Sequence, residues 1–487
     1  MRQKLKKPFS PQKKMKILIL NAPSKTGKAS IPPLGICYLA SVLRKKYKIK
    51  LIDLDIEKFP FEILKKTINL FYPDIVMISA VTPQMENAYR IANKIKEINI
   101  NCKIIMGGAH VSALPKQTLT ECKSIDIAVI GEGEETIQKI CSTFNKKNKE
   151  FMPNIENILN ISYRKKDKII SNPLIKILPD VKTLPLPSRD LLKFKEYTGW
   201  GPTKAKPSTH LIASRGCPFD CIFCSEKKVF GQKNRRREPK DVVKEITLLK
   251  KKYGIKEFAF YDDLFTANKS WVREVCKELI KKKINLPWKA LSRVDTVDLK
   301  TLKLMKKAGC WLIFYGYESG CDTILKKINK HTTIKHGTQA TENTRKAGIK
   351  IYGFFMLGNE SEDKETIKKT ILYAKKINPT FSQFAIVRPD PGSPQYEKYI
   401  QEITSKHTSW EEYHAFSRKN EGKVMAVGTK LKMGELQDYA EIGKYLLDKK
   451  ELLKDIIRTL VYQPKLFIEK TKKIYLPSIF KNKLAKL

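Results

Sequence analysis

Three cysteines in one short loop are the residues of this chain best suited to chemistry. Cys217, Cys221 and Cys224 stand in the run Ser-Arg-Gly-Cys-Pro-Phe-Asp-Cys-Ile-Phe-Cys-Ser. Three thiolates hold three irons of a 4Fe-4S cluster, whereas full thiolate ligation takes four, so one iron would stay open to a small molecule. A structural zinc loop is the alternative. Zinc sites usually pair two short Cys or His spacings across a dozen or more residues, and His210 has no partner at such spacing.

The CxxxCxxC spacing, with Phe223 directly before the last cysteine, resembles the radical S-adenosylmethionine (SAM) enzymes. In that family the open iron chelates the amino acid end of SAM, and one electron cleaves the cofactor to a carbon radical. The resemblance implies a 4Fe-4S cluster on Cys217, Cys221 and Cys224, with SAM beside it.

The elements that must position this loop are six apolar runs, which alternate with helical patterns from His210 to about Tyr396. The runs are Leu211 to Ala213, Phe258 to Tyr261, Trp288 to Leu291, Trp311 to Tyr315, Ile351 to Leu357 and Phe381 to Val387. Six β-α units fit the partial (β/α)6 TIM-type barrel of radical SAM enzymes, in which strand ends carry the site.

Polar residues follow these runs where a site would need them. The second run ends in Asp262 and Asp263, at the place where the family holds the SAM ammonium group, and carboxylates suit a cation. The third ends in Ser292 and Arg293, whose guanidinium fork suits the SAM carboxylate. The fourth ends Gly-Tyr-Glu-Ser-Gly, which resembles the family's GxESG, so Glu318 is expected to accept hydrogen bonds from ribose hydroxyls. The implied SAM contacts are Phe223, Asp262, Asp263, Ser292, Arg293 and Glu318.

The loop after the fifth run departs from the family. Its subgroup usually reads GxPxET there, whereas this chain has Gly-Asn-Glu-Ser-Glu from Gly358 to Glu362. Contacts from this loop are therefore not assigned. The sixth run leads to Asp390-Pro-Gly-Ser-Pro394, close to the family's PGTP turn.

The first part of the chain, Lys16 to Lys146, predicts a doubly wound parallel sheet, whose ligands sit beyond the carboxyl ends of its strands. Short apolar runs alternate there with helical patterns at Leu34 to Arg44 and Glu86 to Ile98. The predicted strands are Ile17 to Leu20, Ile49 to Asp53, Ile75 to Ala80, Lys103 to Met106 and Ile127 to Ile130.

The loops at these strand ends contain glycines, which let backbone amides approach a bulky ligand. Taken together, they resemble the cobalamin-binding domain found ahead of many radical SAM domains. The implied cobalamin contacts are Leu34, Gly35, Ser79, Thr82, Gly107, Gly108, His110, Gly131 and Glu132. A nucleotide-binding Rossmann domain is the competing interpretation, but no GxGxxG follows the first strand.

A histidine ligand to cobalt is not expected. Cobalamin domains of the mutase type carry DxHxxG after the first strand, and none of the six histidines of this chain lies there. The resemblance is to the subgroup that holds cobalamin without a protein histidine. His110, in a GGxH pattern, is expected to contact the corrin or to be a satisfied loop residue, and direct ligation is the lesser alternative.

The predicted organisation is a basic tail (1–15), a Rossmann-like cobalamin-binding domain (16–146), a connector with a possible hairpin (147–208), the radical SAM domain (209–397) and a helical region (398–487). Its last segment, Lys465 to Leu487, interleaves lysines with aromatic residues. Such a segment suits a helical cap over the barrel mouth or, alternatively, a membrane interface.

The net charge and the cysteines give indications about binding partners and cellular compartment. The chain has 95 basic and 50 acidic residues and a net charge of +45. Nucleic acid, an anionic membrane surface and a lysine-biased proteome are three explanations that the composition leaves open. The other seven cysteines are isolated in apolar surroundings, as in a reduced cytoplasmic protein. No apolar run is long enough for a signal sequence or a membrane span.

Both halves together resemble the cobalamin-dependent radical SAM enzymes, which include methyltransferases and the anaerobic magnesium-protoporphyrin monomethyl ester cyclase. The resemblance implies methyl transfer to an unactivated carbon through a 5'-deoxyadenosyl radical and methylcobalamin, with cyclisation or rearrangement as the alternative. A nucleic-acid-binding protein with a structural cluster is disfavoured, because no RNA-binding module is visible. Expected partners are a small-molecule or lipid-like substrate and an electron donor such as flavodoxin or ferredoxin. No catalytic acid or base is identified.

Overall fold

The computed structural model of the protein describes residues 14–24, 31–175, 179–406, 409–413 and 426–447. They form two compact units. The first comprises the described residues up to Pro179 together with Leu184–Glu196, and the second comprises Asp180–Thr183 and the described residues from Tyr197 onward. The segment 465–487 and most of the basic tail 1–15 lie outside the described residues.

The first unit contains a seven-stranded sheet with the order β2-β1-β3-β4-β5-β8-β9. Its strands are β1 (Lys16–Asn21), β2 (Lys48–Asp53), β3 (Ile75–Ser79), β4 (Lys103–Gly107), β5 (Ile127–Val129), β8 (Ile161–Lys165) and β9 (Lys168–Ser171). Between β5 and β8, the short strands β6 (Phe144–Asn145) and β7 (Glu150–Phe151) pair with each other. The helices are α1 (Leu34–Leu43), α2 (Pro60–Phe71), α3 (Met85–Ile98), α4 (Ala109–Ala113), α5 (Pro115–Glu121) and α6 (Glu134–Thr143).

The centre of this sheet is parallel, as the alternating pattern predicts. β1 lies between β2 and β3, and its residues Ile17 to Leu20 are fully buried. A continuous apolar run is typical of a parallel strand that is covered on both faces. The strand order reverses between β1 and β3, which is the switch point where ligands bind in doubly wound sheets.

The hairpin predicted inside the connector forms the edge of this sheet. β8 pairs with β5 and with β9, both antiparallel. The first sheet is therefore mixed, and the described residues up to Pro179 belong to the first unit. The boundaries drawn from sequence at 146 and 208 stay predictions.

The second unit contains an open sheet of six parallel strands with the order β10-β13-β14-β15-β16-β17. They are β10 (Ser208–Leu211), β13 (Glu257–Phe260), β14 (Trp288–Ser292), β15 (Cys310–Glu318), β16 (Lys350–Leu357) and β17 (Phe381–Ile386), and a two-stranded ladder of β11 (Ser214–Arg215) and β12 (Arg235–Arg236) follows β10. The helices are α7 (Pro239–Tyr253), α8 (Lys269–Lys281), α9 (Leu299–Lys307), α10 (Asp322–Lys327), α11 (Ile334–Lys346), α12 (Lys364–Ile377), α13 (Pro394–Lys398), α14 (Ile400–Lys406) and α15 (Met433–Leu447).

Side-chain caps start the helices that cross between these strands. Asp298, Thr333 and Asp363 precede α9, α11 and α12, and each accepts a hydrogen bond from the backbone N–H three residues later. A cap of this kind contributes about 1 kcal/mol. The six alternating strands and helices agree with the predicted partial barrel.

The first barrel strand was misplaced by the sequence pattern. The run Leu211 to Ala213 predicts a strand there, but β10 ends at Leu211. The physical reason is that the backbone N–H of Ala213 donates to the carboxylate of Asp262 and not to a neighbouring strand.

Helix α15 belongs to the predicted C-terminal helical region and packs on the second unit. Leu436 is buried in a cluster with Leu357, Ile367 and Ile371. A side chain at Gly443 would meet the ring of Phe384 at 2.9 Å, so the helix approaches β17 closely. Within the described part of the chain, no helix has the length and apolar character needed to span a membrane.

Candidate functional site

The three cysteines of the loop lie near one another in the second unit. Cys221 is buried, while Cys217 and Cys224 are half-buried. Burial is the main reason that the pKa of Cys224 is raised to about 12, and the charges of Cys221 and Cys217 act in the same direction. A thiol with so high a pKa is protonated at neutral pH, so binding of a cluster would release the proton of Cys224.

The three thiols suit a cluster by their number and mutual proximity. Among the described residues, no three Cys, His, Asp or Glu side chains converge on a point that would hold one metal ion. A 4Fe-4S cluster places each thiolate on a different iron, so it does not need such a point.

Backbone contacts hold the cysteine loop in place. Gly216 has φ of +87°, and a Cβ there would lie 2.5 Å from the carbonyl oxygen of Lys233, so only glycine fits. The N–H of Ile222 donates to Ile328 at 3.1 Å, and its carbonyl accepts from Gln395 at 2.9 Å. The loop is therefore fixed on both sides of Cys221.

Asp262 and Asp263 hold the start of this loop. Asp262 is buried and accepts hydrogen bonds from the N–H of Ala213 at 2.9 Å and from the hydroxyl of Ser214 at 2.6 Å. Asp263 accepts from the N–H of Gly216 at 2.9 Å. Burial raises the pKa of Asp262 to about 7. Both carboxylates lie beside the cluster loop, and their predicted contact with the SAM ammonium group stays a prediction.

Ser292 ends β14, Arg293 follows it, and their side chains lie in different surroundings. The hydroxyl of Ser292 lies 2.6 Å from that of Thr266, in a buried group of hydroxyls. The guanidinium of Arg293 is paired with Asp295 and lies against the cysteine loop. Its fork is thus already occupied by a carboxylate of this chain.

Glu318 is the predicted ribose-binding carboxylate, and a buried lysine holds it. Its Oε1 accepts from Lys330 Nζ at 2.8 Å. A Cβ at Gly316 would clash with that oxygen and lie 2.9 Å from Lys330 Nζ, which explains the glycine two residues before the glutamate. Sequence reasoning missed Lys330, because lysines are mostly exposed and nothing around it marks it as buried.

Phe223 packs beneath the cysteine loop. With Ile222, it contacts a cluster of Cys321, Ile324, Leu325 and Ile328, which lie within α10 and at its two ends. The ammonium of Lys330 lies 5.7 Å from the centre of its ring. The aromatic residue before the last cysteine therefore links the loop to the Glu318 side of the site.

The loop after β16 is ordered by Glu362, although it departs from the family pattern. Its Oε2 accepts hydrogen bonds from the N–H groups of Gly358 at 2.6 Å and Asn359 at 2.9 Å. Gly358 has φ of +86°, as a tight turn requires. Glu360 stands where the family pattern has proline. The acidic residue that closes the turn, Glu362, is present although the proline is absent.

We expect Glu362 to make stability depend on pH. Burial raises its pKa from 4.5 to about 7, so the folded state binds a proton that the unfolded state has released. The free energy of unfolding should fall as the pH rises from about 4.5 to 7, by a contribution of order 3 kcal/mol. Glu362→Gln should remove this contribution. Urea unfolding of both proteins at several pH values checks it, and parallel pH curves would contradict it.

In the first unit, the predicted cobalamin contacts lie at the carboxyl ends of the strands. Ser79 and Gly107 end β3 and β4, Leu34 and Gly35 begin α1, Thr82 follows β3, and Gly131 and Glu132 follow β5. A Cβ at Gly35 would meet nothing within 4 Å, and one at Gly107 would meet only Val129, at 3.8 Å. Open space over Gly35 is what a bulky ligand held by backbone amides requires.

Gly108 and His110 have structural surroundings that the motif does not reveal. Gly108 has φ of +113°, and a Cβ there would clash with the carbonyl oxygen of Ala80. His110 is 1% exposed, and its Nδ1 lies 3.3 Å from the hydroxyl of Thr82. The imidazole is therefore a buried contact between the loops after β3 and β4.

Two residues that sequence reasoning missed tie these loops together. Gln84 donates from Nε2 to the carbonyl of Ala22 at 2.6 Å and accepts from the N–H of Val81 at 3.0 Å. Ser112 accepts from the N–H of Gly131 at 2.9 Å. Both residues lie outside the predicted helical patterns, and a single polar residue there gives no signal of such a contact.

Family models match both units. The B12 binding domain model matches residues 25–140, and the Radical SAM superfamily model matches residues 211–374. An uncharacterised methyltransferase of Pyrococcus horikoshii is 34% identical over 91% of this chain and 95% of its own. The anaerobic magnesium-protoporphyrin IX monomethyl ester cyclase of Rubrivivax gelatinosus is 30% identical over 79% of this chain and 70% of its own.

The fold also matches a solved structure. The radical SAM methyltransferase TsrM of Kitasatospora setae, solved with tryptophan and a SAM analogue, superposes with a TM-score of 0.69 over 89% of each chain, at 15% identity. This chain combines two features. One is a loop of three cysteines after the first strand of a six-stranded open barrel, and the other is a parallel sheet with glycines at its strand ends. With the two family models and the full-length relative, they show that this chain belongs to the cobalamin-binding radical SAM enzymes.

Proposed function

We propose that this enzyme transfers a methyl group from SAM to an unactivated carbon of a small molecule. The observation that carries this proposal is the Pyrococcus methyltransferase, which this chain matches over 95% of that protein's length. The bound cofactors would supply the radical that removes a hydrogen atom and the methyl group that replaces it.

Residues of the second unit would bind the iron–sulfur cluster and SAM. Cys217, Cys221 and Cys224 would hold the cluster. Glu318, held by Lys330 at 2.8 Å, would accept hydrogen bonds from the SAM ribose. Hydrogen bonds to a carboxylate are strong because the acceptor is charged, so this residue would fix the orientation of the nucleoside.

In the first unit, the strand-end glycines would bring backbone N–H groups to the corrin. Gly35 leaves open space there, a Cβ at Gly107 would make only ordinary contact with Val129, and Gly108 sets the path of the loop. These residues bind and orient, and no residue of this unit is assigned a proton transfer.

Oxidative cyclisation or rearrangement is the second candidate, and the relative from Rubrivivax favours it. That cyclase is 30% identical to this chain, close to the value for the methyltransferase, but the match covers only 70% of its length. The two reactions differ in the fate of SAM. A methyltransferase forms S-adenosylhomocysteine together with 5'-deoxyadenosine, whereas the cyclase branch forms 5'-deoxyadenosine alone.

The test is to incubate the reconstituted full chain with SAM, cobalamin and a reductant and to measure both products. Methyl transfer predicts S-adenosylhomocysteine that depends on added cobalamin. Formation of 5'-deoxyadenosine without S-adenosylhomocysteine would support the cyclase branch. An external electron donor such as flavodoxin or ferredoxin is proposed as the physiological reductant, because cleavage of SAM consumes one electron.

We expect no protein histidine on cobalt. His110 is buried against Thr82, so His110→Ala should leave the electron paramagnetic resonance spectrum of bound cob(II)alamin unchanged. Phe59→Ala, at a largely exposed position, is the matched control for stability and cofactor content. Nitrogen hyperfine coupling from a protein imidazole that disappears in His110→Ala would contradict the expectation.

A hydrophobic, lipid-like substrate at the inner membrane face is the finer proposal that the net charge of +45 supports. Each basic residue near an anionic leaflet contributes about 1 kcal/mol of binding free energy. Salt screens this attraction with a Debye length of about 8 Å at physiological ionic strength. Deletion of residues 465–487, which lie outside the described residues, should reduce flotation with anionic vesicles at low salt. Equal recovery with neutral and anionic vesicles would contradict membrane contact.

A further inference from the structure

The guanidinium of Arg293 is buried against the cysteine loop. Arg293 is 5% exposed, and its guanidinium centre lies 3.5 Å from the centre of the Phe219 ring. Its Nη1 donates to Cys221 Sγ at 3.6 Å. A cation that stacks on an aromatic ring is held in a fixed orientation, so the N–H points steadily at the sulfur.

Three other donors of this guanidinium are in use. Nε and Nη2 donate to the two carboxylate oxygens of Asp295, at 3.0 and 2.9 Å. Nη2 also donates to the carbonyl oxygen of Lys330, at 2.5 Å. A guanidinium has five N–H donors, and three of them are occupied on the side away from Cys221. The planar edge that a ligand carboxylate would need is therefore taken by Asp295.

We propose that Arg293 is a positioning residue of the iron–sulfur cluster, which acts through the Cys221 thiolate and raises the reduction potential of the cluster. The inference rests on the proposed function, because it requires that Cys221 bind iron. Reduction adds negative charge to the cluster and its thiolates. A fixed positive charge with an N–H···S hydrogen bond stabilises the reduced form more than the oxidised form, and hydrogen bonds to the sulfurs are among the factors that set such potentials.

The same contacts connect the cluster loop to the predicted ribose carboxylate. The carbonyl of Lys330 accepts from Arg293, and its ammonium holds Glu318 at 2.8 Å. Loss of Arg293 should therefore loosen Lys330 as well. We expect a smaller, secondary weakening of SAM binding through Lys330 and Glu318, which accompanies the change at the cluster and does not occur without it.

The chain offers a matched control for Arg293. Arg388 and Asp390 have the same spacing of two residues and a similar ion pair, at 2.8 Å, after the last barrel strand. Arg388 contacts the carbonyl of Tyr413 and makes no described hydrogen bond to a cluster cysteine. Replacing Arg388 therefore tests the loss of a comparable arginine that makes no N–H···S contact.

The experiment is a redox titration of the reconstituted full chain without SAM, followed by electron paramagnetic resonance of the reduced cluster. Arg293→Gln should lower the ratio of reduced to oxidised cluster at a fixed potential about tenfold, which is about 59 mV for one electron. Asp295→Asn should shift the potential in the opposite direction, because it removes the charge that compensates Arg293. Arg388→Gln should leave the potential unchanged.

Two results would overturn the proposal. One is an unchanged potential in Arg293→Gln with full iron content. The other is an unchanged potential with weakened SAM binding, which would assign Arg293 to the SAM carboxylate. If Arg293→Gln does not load a cluster, Arg293→Lys is titrated instead, and a wild-type potential there would contradict a role for the directed N–H. Absence of a cluster in the wild-type chain would contradict the proposed function and not the role of Arg293.

Discussion

Replacement of Cys217, Cys221 and Cys224 together by alanine should abolish iron loading and SAM cleavage. The three thiols are the ligands that the loop offers, and without them about four irons per chain should fall to none. The fold should persist, since Cys217 and Cys224 are half-buried and the loop is held by backbone contacts at Gly216 and Ile222. Iron and sulfide analysis after anaerobic reconstitution, with 5'-deoxyadenosine as the activity readout, measures both losses.

The matched control replaces three cysteines that are buried elsewhere. Cys102, Cys141 and Cys276 are free thiols buried in the two hydrophobic cores, outside the cysteine loop. Their triple alanine variant should load a full cluster. A full cluster in the first variant, or tight zinc in place of iron in the wild-type protein, would refute the cluster assignment.

Gly108→Ala should disrupt the strand-end loops of the first unit and abolish cobalamin binding. The backbone at Gly108 has φ of +113°, which side chains rarely adopt, and the new Cβ would clash with the carbonyl oxygen of Ala80. Strain of this kind costs about 1–3 kcal/mol before the clash is counted. We expect a loss of at least about 3 kcal/mol of stability, since a clash with backbone cannot be relieved by a side-chain rotation.

Gly107→Ala is the control for this change, one residue away. A Cβ there would meet Val129 at 3.8 Å, which is ordinary van der Waals contact. The variant should therefore fold normally, and its cobalamin affinity reports on the added methyl group at this strand end alone. Thermal unfolding and the visible spectrum of bound cobalamin measure both effects. Equal stability of the two variants would show that the loop after β4 adjusts freely.

Much of the fold follows from local patterns in the sequence. Apolar runs such as Ile17 to Leu20 match buried parallel strands, because a strand covered on both faces needs apolar residues at every position. Helix α3 was expected at Glu86 to Ile98 and spans Met85–Ile98. The edge hairpin was expected as a hairpin, but its addition to the first sheet was not, since antiparallel pairing with β5 depends on residues more than thirty positions away.

The cysteine spacing and the glycines of the strand-end loops pointed from sequence to the cofactors and the family, because ligand number and spacing are properties of short stretches of chain. Only the tertiary structure decided which partners the charged side chains around the cysteine loop have. The contact of Arg293 with a SAM carboxylate stays a prediction, and the structure adds that its Nε and Nη2 pair with Asp295 while its Nη1 faces Cys221, 72 residues away in sequence. No local sequence pattern marks Lys330 as a buried residue of the site. Its ammonium is buried only because Glu318 and the ring of Phe223 meet it there, and such burial depends on packing between elements that are distant in the chain.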